Sequence, residues 1–162
     1  MSAGLDLEML YREYGHIVLR RARQILGSAE EAEDVLQELF TSLVAEPQQF
    51  AGRCAPSTFF YAATTNACLT RLRNQRNRRR LIDEQVQPWS TDLDPRSPEA
   101  GSAVRGVLSQ LTHAEARAVV YYYLDGMTHA EIAKEVLGCS ARQVCNLLQR
   151  VSRRFVKRKE AS

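Results

Sequence analysis

Six arginines crowd the stretch from Arg71 to Arg80, and three consecutive rings, Phe59, Phe60 and Tyr61, precede them with Thr64, Thr65 and Asn66 in between. Rings for base stacking, an amide for hydrogen bonding and a basic track for phosphates are what single-stranded nucleic acid requires. An aromatic triplet taken alone also suits a core, although consecutive residues cannot all face the same one. A second group lies towards the C-terminal end. Arg142, Gln143, Asn146, Arg150, Arg153 and Arg154 fall opposite Val144, Leu147, Leu148, Val151 and Phe155 in a helical repeat. Arginine can pair with guanine, and asparagine or glutamine with adenine, in a major groove, while the later arginines suit phosphates. A third group has the opposite sign: Glu30, Glu31, Glu33, Asp34 and Glu38 place five acids within nine residues, with Gln37 among them. Like charges so spaced on a helix repel by a few tenths of a kcal/mol per pair. Such a stripe is either a solvated face or a docking surface for a basic protein.

The formal net charge of +3 on 162 residues conceals a block structure. Residues 1–46 are acidic, 47–81 hold seven arginines and no acid, 82–101 are acidic again, and 102–162 are basic. Blocks of alternating sign predict separate surfaces for different partners. With 44% apolar and 25% charged residues the composition is that of a globular protein. The longest apolar run, Ala118 to Leu124, is too short to span a membrane. The start carries Asp6 and Glu8 without a basic lead, so no secretory signal and a cytoplasmic location are expected. Cys54, Cys68, Cys139 and Cys145 form no Cys-x-x-Cys pair and are expected as reduced thiols. A zinc or thiol switch on Cys139, Cys145 and His129 lacks the usual ligand spacing. No metal and no cofactor is expected.

The elements that must position these groups read as helices throughout, and the fold class expected is all-α. Leu7, Leu10, Tyr14, Ile17, Val18, Ile25 and Leu26 keep one face through a first helix that stops at Gly27. Ala32, Val35, Leu36, Leu39, Phe40 and Leu43 repeat the pattern before Pro47, and a third helix runs from about Ser57 into the arginines. A turn-rich acidic stretch follows, with Pro88, Pro95 and Pro98, and helical spacing resumes with Val104, Val107, Leu108 and Leu111. Ser28 with Glu31, Thr112 with Glu115, Thr128 with Glu131 and Ser140 with Gln143 have the spacing of capping boxes. Thr128 to Phe155 reads as a helix-turn-helix around Gly138-Cys139-Ser140, its second helix starting at Ser140. The domains expected are 1–81, a flexible linker over 82–101, and 102–162. Twenty linker residues reach at most roughly 70 Å, about two turns of duplex.

Several of these stretches resemble the extracytoplasmic-function group of bacterial sigma factors. Leu10-Tyr11-Arg12-Glu13-Tyr14-Gly15 and the run Ala32 to Phe40 are similar to the start of its region 2. Phe50-Ala51-Gly52, Ser57 to Tyr61, Asn66 and Arg71-Leu72-Arg73 are similar to its promoter-melting segment, and Leu111 to Phe155 to its region 4. The resemblance implies a non-enzymatic protein whose partners are core RNA polymerase and promoter DNA, with an anti-sigma inhibitor as a further candidate. Asp34, Gln37 and Glu38 would dock on the polymerase. Phe59, Phe60, Asn66, Arg71 and Arg73 would meet the −10 element, and the loop from Gly52 to Ser57 would capture an extruded base. Arg142, Gln143, Asn146, Arg150 and Arg153 would meet the −35 element.

Three positions depart from the family's pattern: Phe59 stands for its usual tryptophan, Thr70 for an acid, and one residue more than usual lies between Ala133 and Gly138. One inserted residue rotates a helix by about 100°, which the turn is expected to absorb. Two other readings compete. A helix-turn-helix regulator that never engages polymerase would use the basic faces alone. A metal-dependent nuclease would use Glu30, Asp34 and Glu38, but no histidine, nucleophile or phosphate-cradling glycine loop accompanies them.

Overall fold

The computed structural model describes residues 6–50, 54–82 and 100–160, all helices and short connections, with no strand among them. Helix α1 (Leu7–Leu26) starts where Asp6 accepts a hydrogen bond from the Met9 amide and ends at Gly27, whose φ of 67° lets the chain turn away. Ser28 caps α2 (Ala29–Ala45), and a short 3-10 turn at Pro47–Gln49 leads towards α3 (Pro56–Ile82). These three helices bury two apolar zones. One is aromatic: Phe60 stacks between Tyr14 and Phe40 at ring separations of 5.3 and 5.4 Å, with Leu10, Val18, Leu36, Leu39 and Leu43 around them. Offset ring pairs of this kind add about 0.5–1.5 kcal/mol each beyond their burial.

After the undescribed stretch come α4 (Ala100–Ser109), α5 (His113–Val119), α6 (His129–Ile132) and α7 (Ala141–Glu160). Ala118, Tyr121, Ile132, Ala133, Val144 and Leu148 form the core of this unit. Both α5 and α6 continue into a wider π turn, at Val120–Leu124 and Ala133–Leu137. The amide of Gly138 donates to the Ala133 carbonyl five residues back, and Cys139 donates to the same carbonyl at 3.0 Å. The extra residue before Gly138 is thus taken up inside the helix rather than by the turn. Gly138, at φ 64°, then closes the helix as expected.

The two units share a core, which the periodicity does not foretell. Leu108, Leu111, Ala116, Val120 and Val151 pack in one cluster with Ala22, Ile25, Leu26, Leu69 and Leu72. The expected linker lies outside the described residues from 83 to 99, as do Ala51, Gly52 and Arg53 of the expected base-capturing loop.

Three of the four expected capping boxes are complete, at Thr112, Thr128 and Ser140. At Ser28 only half forms: the hydroxyl accepts from the Glu31 amide at 3.2 Å, but the Glu31 carboxylate turns to Arg105 and Gln75 instead. A charged donor from another helix outcompetes a neutral backbone N–H.

Candidate nucleic-acid interface

Helix α3 sorts its expected site residues onto different faces. Phe59, Asn66 and Arg73 are seven residues apart, two turns of helix, and therefore share a stripe. Phe59 and Asn66 are partly exposed along it and Arg73 is exposed. Phe60 belongs to the core, with no accessible surface, and meets Phe59 edge-on at 5.3 Å. The expectation that its ring meets DNA is corrected: one residue of rotation points it inward. Asn66 Oδ1 is buried without a hydrogen-bond partner among the described residues.

Arg71 points a different way. Its Nη2 donates to Asp34 Oδ2 at 3.1 Å and its Nη1 to Glu38 Oε1 at 3.2 Å, while Nε lies 3.5 Å from Glu31 Oε1. One guanidinium thus ties the expected DNA-reading helix to the expected docking stripe. Asp34, Gln37 and Glu38 are exposed, and with Thr41, Ser42 and Ala45 they line a shallow groove along α2. Among the described residues no three His, Cys, Asp or Glu side chains are grouped to hold a metal ion. Asp34 and Glu38 converge on an arginine instead.

Helix α7 is sharply two-faced. Val144, Leu148 and Val151 are buried, and Arg142, Gln143, Asn146, Arg150, Arg153 and Arg154 are exposed. Gln143 has a structural task as well, since its Oε1 accepts from the Ser140 amide at 2.9 Å. Arg154 reaches Glu115 at 3.3 Å. Among the described residues no acid pairs with Arg142, Arg150 or Arg153. Leu137, Gln143, Asn146, Leu147 and Arg150 line an open groove beside the helix.

Cys68 is buried and its thiol is pushed up to about 12, chiefly by loss of solvation, so it is unreactive. Cys54, Cys139 and Cys145 are also free thiols. Glu31 is held at about 2, below its usual 4.5, chiefly by the hydrogen bond from Arg105; burial opposes this and Gln75 assists it.

Two ion pairs, Arg21 with Asp125 and Arg105 with Glu31, organise the contact between the units. Arg21 is 2% exposed; its Nε donates to Thr65 Oγ1 at 2.6 Å and its two terminal nitrogens donate to the Asp125 carboxylate at 2.7 Å each. Its guanidinium lies 4.7 Å from the Tyr61 ring and 5.2 Å from the Tyr121 ring. Arg105 bonds Glu31, Gln75 and the Leu26 carbonyl. A signal for Arg21 does exist in the sequence: it sits among Val18, Ala22 and Ile25 on the apolar face of α1, where a lone charge demands a partner.

Comparison with known families divides the chain where the helices do. The sigma-70 region 2 family model matches residues 10–78, covering most of α1 through α3, and the sigma-70 region 4 model matches residues 102–155, covering α4 into α7. No curated protein matches the chain. With both regions present in order and occupying most of its length, the chain belongs to the sigma-70 family, and its role is that of a sigma factor in promoter recognition.

Proposed function

We propose that this sigma factor is of the extracytoplasmic-function group: it acts in the cytoplasm, docks on bacterial core RNA polymerase and directs initiation at promoters with a −10 and a −35 element. Asp34, Gln37 and Glu38 form the docking face. Phe59, Asn66 and Arg73 meet the −10 strand along one stripe of α3, and Phe60 braces Phe59 from beneath. Arg71 joins them once polymerase draws Asp34 and Glu38 away. On α7, Arg142 and Asn146 read base edges and Arg150 and Arg153 hold phosphates, while Gln143 caps the helix and adds its amide donors. The protein supplies no catalytic step of its own.

The observation that carries this reading is the pair of exposed faces of opposite sign, acidic on α2 and basic on α7. The test is reconstituted transcription with core polymerase on a promoter library. Added protein should redirect initiation to a new set of start sites. The double variant Asp34→Lys/Glu38→Lys should weaken core association by about 100-fold and abolish that redirection, leaving −35 duplex binding intact. Wild-type protein that binds duplex but never redirects initiation would make it a regulator independent of polymerase.

A further inference from the structure

We infer that Arg117 is a positioning residue for promoter reading: reaching from α5, it clamps the widened end of the first helix of the helix-turn-helix and so sets the angle at which α7 presents its side chains to bases. The inference rests on the reading of α7 as the helix that meets the −35 element.

The clamp answers a local weakness. The turn at Ala133–Leu137 holds the extra residue, and the amides of Gly138 and Cys139 both return to the one carbonyl of Ala133. A π turn is a rare local bulge, and the last carbonyls of any helix lack donors from that helix. The Val136 carbonyl takes its donor from another element: Arg117 Nη2, at 3.1 Å. A charged donor at the carbonyl end of a helix is favoured by the helix dipole as well as by the hydrogen bond itself. Along the way the Arg117 Nε is buried with no hydrogen-bond partner among the described residues. Burying a donor unpaired works against stability. The side chain is therefore laid down for where its far end arrives.

The path from clamp to reading face is short. Gly138 follows Val136 by two residues with φ at 64°, and Ser140 then caps α7, its amide donating to Gln143. Ile132 and Ala133 of the first helix pack with Ala118 of α5 and with Val144 and Leu148 of α7 in one buried cluster. On the outer side, Ala114 of α5, Leu137 and Cys139 of the turn, and Gln143, Asn146 and Arg150 of α7 line the same open groove. A shift at the carbonyl end of the first helix thus passes directly into the start of α7. Base-edge contacts are directional pairs, whereas phosphate contacts carry no sequence information. A small tilt of α7 misplaces Arg142 and Asn146 while Arg150 and Arg153 keep phosphates within reach. Loss of the clamp therefore strikes preference before affinity.

The test uses the full-length chain and a duplex library randomised at the −35 element. Arg117→Met, which keeps a stem but no donor, should prefer the sequence selected by the wild type over scrambled duplex about tenfold less. Its affinity for scrambled duplex and the salt slope of that affinity should not move. Arg117→Lys, which restores a charged donor, should regain most of the preference. Unchanged preference in folded Arg117→Met overturns the proposal, and so does an equal loss on both duplexes, which would make Arg117 a support of the fold alone. If Arg117→Met proves unable to fold, deletion of the exposed Glu135 decides. Closing the π turn to an α turn should keep affinity for scrambled duplex and select different bases; selection of the wild-type sequence again overturns the proposal. Hydrogen exchange separates the clamp from the reading of α7. The Gly138 and Cys139 amides should exchange faster in Arg117→Met, and unchanged exchange overturns the clamp even where α7 reads bases. Faster exchange together with a wild type that selects no sequence would instead remove the −35 role, and with it the task assigned to Arg117.

Discussion

Helices α3 and α7 are the two long basic helices of this protein, yet they use their arginines in opposite ways. On α7 the charged face is exposed from Arg142 to Arg154, opposite the buried Val144, Leu148 and Val151. On α3 the helix is covered on several sides, and Arg71 and Arg76 already hold protein oxygens, from Asp34 and Glu38 and from Ser109. A surface reader can be built by charge alone. A helix that belongs both to a core and to a binding face must assign each residue separately, and neighbours in sequence come to have unrelated tasks.

The sharpest break in that comparison is between Phe59 and Phe60. Phe60→Ala removes a wholly buried ring stacked on two others and should destabilise the protein by about 3–5 kcal/mol, measured by denaturant unfolding. Phe59→Ala, on the half-exposed stripe, should cost about 1–2 kcal/mol while reducing opening of the −10 element in a melting assay. Equal losses of stability would mean that α3 has no separate binding face.

The legibility of the two helices follows from the same difference. The face of α7, the cap at Ser140 and the left-handed Gly138 are readable because the helix meets one core on one side and water on the other. On α3, the rings at 59 to 61 could be assigned to a core and a surface only once Tyr14 and Phe40 were in place around Phe60. The Ser28 capping box was readable as a pattern, and a residue 74 positions away undid half of it. Arg21 and Asp125, 104 positions apart, illustrate the general limit. Local periodicity reports which face is apolar, but it carries no information on which distant charge will satisfy a buried one. The π turn at Ala133–Leu137 was visible as a length anomaly, and whether helix or loop absorbed it depended on packing against α5 and α7.

A smaller effect distinguishes paired from solvated charge. Glu31 in the folded chain is held at about 2, against 4.5 for an ordinary carboxyl. Because the folded value lies below the unfolded one, the ionised form stabilises the fold. That contribution is complete above pH 4.5 and is lost as the pH falls towards 2. Glu31→Gln should therefore destabilise the fold at pH 7, by about 1 kcal/mol once solvent screening of this part-exposed pair is allowed for. The gap between variant and wild type should close progressively between pH 4.5 and 2, as followed by unfolding titrations. A gap that persists unchanged to pH 2 would mean that Glu31 contributes by packing, not by charge. No comparable acid-sensitive loss is expected from changing Arg142 or Arg150, since no acid among the described residues pairs with them.

The smallest effect tests α7 alone. If Arg150 and Arg153 lie on phosphates, each releases counterions when the helix docks, and each adds about 0.9 to the slope of log affinity against log salt. Arg150→Ala/Arg153→Ala should then flatten the salt dependence of −35 duplex binding by about two charges, with no change in thermal unfolding, because both side chains are exposed. Over a fourfold rise in salt this amounts to about a tenfold difference in how far affinity falls. Arg142→Ala should behave differently. An arginine that reads a base edge contributes most of its energy through a directional pair, so its loss should relax preference at one position of the −35 element by about 1–3 kcal/mol. The same slope change from all three variants would reduce the basic face of α7 to an electrostatic patch, and the reading of bases would have to lie elsewhere on the helix.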